Sequence, residues 1–126
     1  MTTARSRTAH SKQTERRIQK TLWPGSNRPW KERWDLAGPG INGGQWLGEV
    51  KESRHLSLSG GMRLLRKAAQ QLQAAVTESE AAEVEGLFVV LHQVGSSTDW
   101  AWVLAGEATW GPYTLEEFRM RWLCKP

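Results

Sequence analysis

The sequence predicts an α/β domain: a mixed central β-sheet flanked by helices. Three stretches carry that expectation. Over 62–76, Leu65, Ala68, Ala69, Leu72, Ala75 and Val76 recur at the helical period and give an amphipathic helix. Over 86–94, GLFVVLHQV is almost continuously apolar, as expected of a central strand covered on both faces. Residues 33–37 and 45–52 read as strands joined by a Gly/Pro-rich loop, which folds them into a hairpin. A helix lying between a hairpin and a doubly covered strand implies helices layered on a mixed sheet.

Residues 1–9 are polar and basic without an apolar anchor, so they are expected to form a disordered arm ahead of a single domain over 10–126. A helix follows over 11–22, with Ser11 as its N-cap. Its apolar positions, Ile18 and Leu22, are four apart, and Glu15 lies three before Ile18. Glu15 therefore joins the inward stripe, while Arg16, Arg17 and Lys20 spread over the rest. Trp23-Pro24-Gly25 ends the helix, and the loop over 25–31 carries Ser26, Asn27 and Arg28. Beyond the hairpin, 57–61 reads as a linker, 78–85 as an acidic connector, 95–99 as a turn and 100–105 as a strand. Residues 109–113 read as a Gly/Pro turn, and Thr114 with Glu117 makes a capping box for a last helix to about Leu123. Of the eight tryptophans, Trp34, Trp46 and Trp102 are expected against the sheet. Trp23 and Trp30 lie near the basic region, where base stacking or a dimer surface competes with a place in the core.

No long apolar run marks a membrane span or a signal peptide. The single cysteine, Cys124, leaves no internal disulfide and fits a reducing, cytoplasmic setting. His10, His55 and His92 are scattered, which excludes a zinc centre of the usual spacing. The net charge of +4 is unevenly spread: residues 1–33 hold nine Lys/Arg against two acids, and residues 34–126 hold eight against eleven. A basic first quarter on a mildly acidic body points to a polyanion contacted by one end or face. Arg5, Arg7, Lys12, Arg16, Arg17, Lys20 and Arg28 are the candidate phosphate contacts.

The hairpin carries the chemistry. Centred on Asn42, it sets Asp35 opposite Glu49, with Cβ atoms roughly 5 Å apart, and like charges so placed repel. A divalent cation offsets that repulsion, since Mg²⁺ is held by about one or two carboxylates together with water and phosphate oxygens. Lys51 shares a face with Glu49. Two acids and a lysine then form a metal-dependent phosphodiesterase site. The plainer alternative is a solvated strand face with a weak ion pair, and a one-residue slip would send Glu49 and Lys51 to the other side. Lys67, Gln70 and Gln71 flank the stripe of the long helix, and one of them is a candidate to reach the site.

Glu15 on an opening helix, the Gly25-Ser26 loop, Asp35, then Glu49-Val50-Lys51, a helix and a buried strand together resemble the PD-(D/E)XK nuclease superfamily. Within it the chain is similar to the small archaeal-type Holliday junction resolvases, forms of which are also carried by viruses. The likeness runs from about Ser11 to Leu91; Trp34 stands where a proline usually precedes the first aspartate. The resemblance implies a restriction-endonuclease-like core and hydrolysis of DNA phosphodiester bonds. It implies Mg²⁺ (Mn²⁺ as the substitute) held by Asp35, Glu49 and the Val50 carbonyl, with Glu15 on a second ion or its water shell. Lys51 would position the water or stabilise the transition state, and Ser26 would bind the phosphate. A homodimer would match the two-fold symmetry of a four-way junction. No organic cofactor and no membrane enter this picture. The competing expectations are a related nuclease on linear or end-containing DNA, a non-enzymatic DNA-binding module, and a protein-interaction domain.

Overall fold

The computed structural model describes residues 4–25, 34–53, 58–96 and 98–124. Its elements run α1 (Ala4–Leu22), β1 (Leu36–Pro39), β2 (Gln45–Ser53), α2 (Leu58–Ala75), α3 (Glu78–Ala81), β3 (Val84–Gln93), β4 (Asp99–Ala105), β5 (Ala108–Tyr113) and α4 (Leu115–Phe118), followed by a π-helical turn, Arg119–Leu123. The five strands form one mixed sheet in chain order. β1 and β2 pair antiparallel, β2 and β3 parallel, and β3–β4–β5 form an antiparallel meander. A parallel neighbour needs a long crossover, and α2 supplies it. The α/β class with a mixed sheet between helices is as expected.

Alternation along β3 divides the interior into two cores. Phe88 and Val90 face α1 and the C-terminal helices, where Ile18, Leu22, Leu36, Trp46, Ala101, Val103, Leu115 and Phe118 join them. Val89 and Leu91 face α2, against Leu65, Ala68 and Leu72. β3 is thus buried on both faces, which explains its unbroken apolar run. The first core is aromatic: the Phe88 and Phe118 ring centroids lie 4.7 Å apart, and Trp46 meets Phe118 edge-on at 5.6 Å. Gly48 is required there, because a Cβ on it would lie 2.4 Å from the Phe88 ring.

The hairpin register is the expected one. Leu36 pairs with Gly48 and Pro39 with Gln45, which centres the hairpin on Asn42. Its loop is held from outside: Glu85 Oε1 accepts from the Asn42 and Gly44 amides at 2.9 and 3.3 Å, and Glu85 Oε2 accepts from Trp46 Nε1 at 2.8 Å. The capping box also forms, with Glu117 N–H donating to Thr114 Oγ1 and Thr114 N–H to Glu117 Oε1, both at 3.1 Å.

Three expectations need correction. α1 begins at Ala4 rather than Ser11; residues 4–10 contain neither Gly nor Pro, so nothing interrupts helical propagation through the stretch expected as an arm. α2 begins at Leu58 and absorbs the supposed linker, glycines included. Residues 109–113 belong to an edge strand rather than a turn; an edge strand tolerates proline, because one row of its amides faces away from the sheet. Trp23 takes the place in the core that competed with base stacking, 9% exposed, with its Nε1 donating to the Pro39 carbonyl at 2.9 Å. Trp30 lies outside the described residues. No helix among the described residues is long and apolar enough to cross a membrane.

Candidate functional site

The site is assembled by a residue that carries none of its chemistry. Gln19, 2% exposed on the inner face of α1, lies against the outer edge of β1. Its Nε2 donates to the Ala37 carbonyl at 2.7 Å, and its Oε1 accepts from the Ala37 amide at 3.2 Å. The side-chain amide thereby acts as one residue of an additional strand, satisfying an edge that would otherwise be buried unpaired. This anchor fixes the register of helix against strand. Four helical residues span about 6 Å, and two strand residues span about 6.6 Å. Glu15, one turn before Gln19, is therefore carried to Asp35, two residues before Ala37, and the two carboxyl groups are hydrogen-bonded to each other.

β1 pairing stops at Leu36, and the Asp35 side chain takes over from the backbone. The Val50 amide donates to Asp35 Oδ2 at 2.9 Å. Continued by one step, the hairpin register sets Asp35 opposite Glu49, as expected from the sequence. Glu49 Oε1 is occupied at 3.3 Å by Lys51 Nζ, and the same ammonium group acts on Asp35. Val50 packs into the α1-side core, so alternation turns Glu49 and Lys51 toward the α2 side. Lys51 thus offsets part of the cost that burial imposes on the Asp35 carboxylate.

On the α1 side that relief is weaker. Burial, then the charges of Asp35 and Glu52, push the Glu15 carboxyl up to about 7, against a smaller opposing pull from Lys12. Burial also raises Asp35, opposed by the Val50 amide, Lys51 and the Glu15 hydrogen bond. Glu15 is therefore the protonated partner that donates to Asp35 near neutrality. Glu52 Oε1 is buried without a hydrogen-bond partner. An orphaned carboxylate oxygen beside two carboxyls that resist ionisation is an environment deficient in positive charge. Among the described residues no three His, Cys, Asp or Glu side chains are gathered closely enough to enclose an ion. The residues fit an open position, in which about one or two carboxylates hold a hydrated Mg²⁺, and they do not fit an all-protein cage.

The other expected residues divide. Lys12, Arg16, Arg17 and Lys20 are exposed along α1. Arg17 is also committed inward, its Nη1 donating to Asp99 Oδ2 at 2.8 Å. Val50 meets Asp35 through its amide rather than the carbonyl expected to bind metal. Lys67, Gln70 and Gln71 are exposed and make no hydrogen bond or ion pair among the described residues. Ser26 and Arg28 lie outside the described residues, as do the side chains of Arg5 and Arg7.

The sequence reading missed Glu52 and a polar row beside it. Glu52 on β2 is in register with His92 on β3, and His92 with Asp99 on β4. His92 Nδ1 lies 2.5 Å from Asp99 Oδ1, and the Asp99 side chain is only 2% exposed. One signal was available: Glu52 continues the alternation of Trp46, Gly48 and Val50 and so belongs on the α1 face. No protein-family model, curated protein or solved structure matches this chain.

Proposed function

We propose that the chain is a metal-dependent endodeoxyribonuclease that resolves four-way DNA junctions by paired phosphodiester hydrolysis. The observation that carries this reading is Asp35 beside β2, in contact with Glu15 of α1 on one side and acted on by Lys51, the partner of Glu49, on the other. The element order supports a PD-(D/E)XK-type core: an opening helix, an antiparallel hairpin bearing the acids, a crossover helix and a parallel strand.

Asp35 and Glu49 would hold Mg²⁺ or Mn²⁺, with Glu15 on its water shell. Such an ion supplies a bound water of lowered pKa and neutralises charge developing on the phosphate. Lys51 would orient the water or the phosphate as a hydrogen-bond donor. Glu15, held protonated by burial and by its neighbouring carboxylates, would be the group that ionises in exchange for such a cation. The exposed bases of α1, Lys12, Arg16 and Lys20, follow the backbone of the substrate by charge and shape. A homodimer acting in the cytoplasm (the host's, for a viral form) completes the reading, since paired nicks need two sites.

The test is incubation of the protein with a labelled four-way junction and a matched linear duplex, with Mg²⁺ and with chelator. Magnesium-dependent cutting of the junction is the expected result. Preferential cutting of the linear duplex would reassign the substrate. Binding that is indifferent to magnesium and leaves both DNAs intact would make the chain a non-enzymatic DNA-binding module.

A further inference from the structure

The charge of the acidic body is itself unevenly spread. Residues 34–126 hold eight Lys/Arg against eleven acids, and α2 takes three of those bases and none of the acids. The three are Arg63, Arg66 and Lys67, spaced by three and four, so they share one face of the helix with Gln70. All four are exposed, while Leu65, Ala68 and Leu72 point into the α2-side core. None of the three cations makes a hydrogen bond or an ion pair among the described residues. Like charges three and four apart on a helix repel, and α2 holds no acid to offset them. Mixed signs would serve solubility as well. A stripe of one sign is complementary to a polyanion.

The stripe is turned away from the bases of α1. α2 covers the opposite face of the sheet, with one core on either side of β3. Gln73 Nε2 donates to the Gly106 carbonyl at 2.7 Å, which sets that flank of α2 toward the β4–β5 turn. Arg66 lies seven residues before Gln73, two turns back on the same flank, and so on the side away from the β1–β2 hairpin. Arg63 and Lys67 continue the stripe over the outside of the helix. A duplex arm held by Lys12 and Lys20 lies against the other layer, and DNA is stiff over lengths far beyond this domain. Such an arm does not bend round to α2. We infer that the outer face of α2 grips the phosphate backbone of a second DNA arm, with Arg63, Arg66 and Lys67 as its contacts. The inference rests on the branched-DNA reading above and gives it a second binding face. Contacts of this kind position the DNA and carry no sequence information.

The experiment measures affinity in chelator, by electrophoretic shift, for a four-way junction and for one of its arms as a linear duplex. The variant combines Arg63→Gln, Arg66→Gln and Lys67→Gln, each of which keeps a long side chain suited to a helix. The junction engages both faces at once, so its affinity is expected to fall by roughly 10²-fold. Its logarithmic salt dependence should become shallower by about 2–3, at roughly 0.9 per phosphate contact. On the linear duplex α1 remains available, so affinity should fall by no more than ~2-fold, the weight of one face of two. Arg63→Lys with Arg66→Lys keeps the charge and should keep the slope; a slope lost there as well would mean that the side chains act through packing, and overturns the inference. A junction affinity and slope equal to wild type overturn it, as do equal losses on junction and duplex, which put both helices on one arm. Vesicles of phosphatidylserine and phosphatidylcholine in equal parts, bound by the wild type and released by the variant with DNA affinity unchanged, would overturn it in favour of an anionic membrane surface. Failure of the wild-type protein to cut the junction with Mg²⁺ overturns the nuclease reading alone, since the binding in chelator decides the α2 assignment separately.

Discussion

Replacement of Glu15 by Gln isolates the electrostatic cost of the acid cluster. Gln keeps the shape, still donates to Asp35, and has no proton to lose. In the wild-type protein the Glu15 carboxyl is pushed up from 4.5 to about 7, chiefly by burial and then by Asp35 and Glu52. Below pH 4.5 the group is protonated in folded and unfolded chains alike, so its contribution to stability is fully present. Between 4.5 and about 7 the unfolded chain releases the proton that the folded chain retains, and stability falls with rising pH. Above 7 the contribution is gone. The gap corresponds to ~3 kcal/mol at 1.36 kcal/mol per pH unit, which solvent screening of a partly exposed carboxyl reduces to about 1–2 kcal/mol. Urea unfolding of both proteins from pH 4 to pH 8 measures it. The two should be equally stable near pH 4, and Glu15→Gln should be more stable by about 1–2 kcal/mol at pH 8. Stability curves that stay parallel across this range would show that Glu15 is not held against Asp35 and Glu52, and the site as described would fail.

Asp35→Asn and Lys51→Ala should abolish cutting while leaving junction affinity within a few-fold, as measured by electrophoretic shift. Millimolar Mg²⁺ at pH 8 should raise the melting temperature of the wild-type protein and not that of Asp35→Asn, a binding readout independent of activity. Gln19→Ala should cost about 2–4 kcal/mol, because it leaves a backbone donor and a backbone acceptor of Ala37 unpaired in the interior; a denaturation midpoint equal to wild type would remove the anchor from the account. Lys12→Gln together with Lys20→Gln should make the logarithmic salt dependence of DNA binding shallower by up to about two, at roughly 0.9 per phosphate contact; an unchanged slope in a salt titration would take α1 off the DNA surface.

The parts of this molecule that could be read beforehand are those whose determinants are local. The hairpin register followed from a two-residue period and a loop centre, so the expected Asp35–Glu49 juxtaposition agrees with the pairing of Leu36 with Gly48. The long helix and the Thr114–Glu117 box were equally legible, since both depend on spacings of three and four. What escaped was non-local or disguised. Gln19 is a polar residue in a basic helix and reads as surface, yet it is buried because its amide imitates a peptide unit. The strand Ala108–Tyr113 is exposed along almost its whole length, so it lacks the alternation that identifies a half-buried strand. Arg17 and Asp99 are 82 positions apart, and no spacing rule reaches so far. Glu52 lies on the face opposite Glu49 and Lys51, so the Glu-x-Lys spacing does not reach it.

The parallel seam between β2 and β3 has a consequence for how the chain reaches its native state. Asp35, Glu49 and Lys51 belong to one hairpin, and His92 with Asp99 to another, so each half is stitched by contacts between near neighbours in sequence. The seam that unites them joins Glu52 to His92 across the intervening crossover and must wait for a much larger loop to close. Contact order thus argues for two early hairpins and one late weld, with the hairpin that bears Asp35, Glu49 and Lys51 meeting the β3–β4 pair only at the final step. Slow chain compaction and formation of the β2–β3 ladder would then share one rate, after the hairpins had already formed.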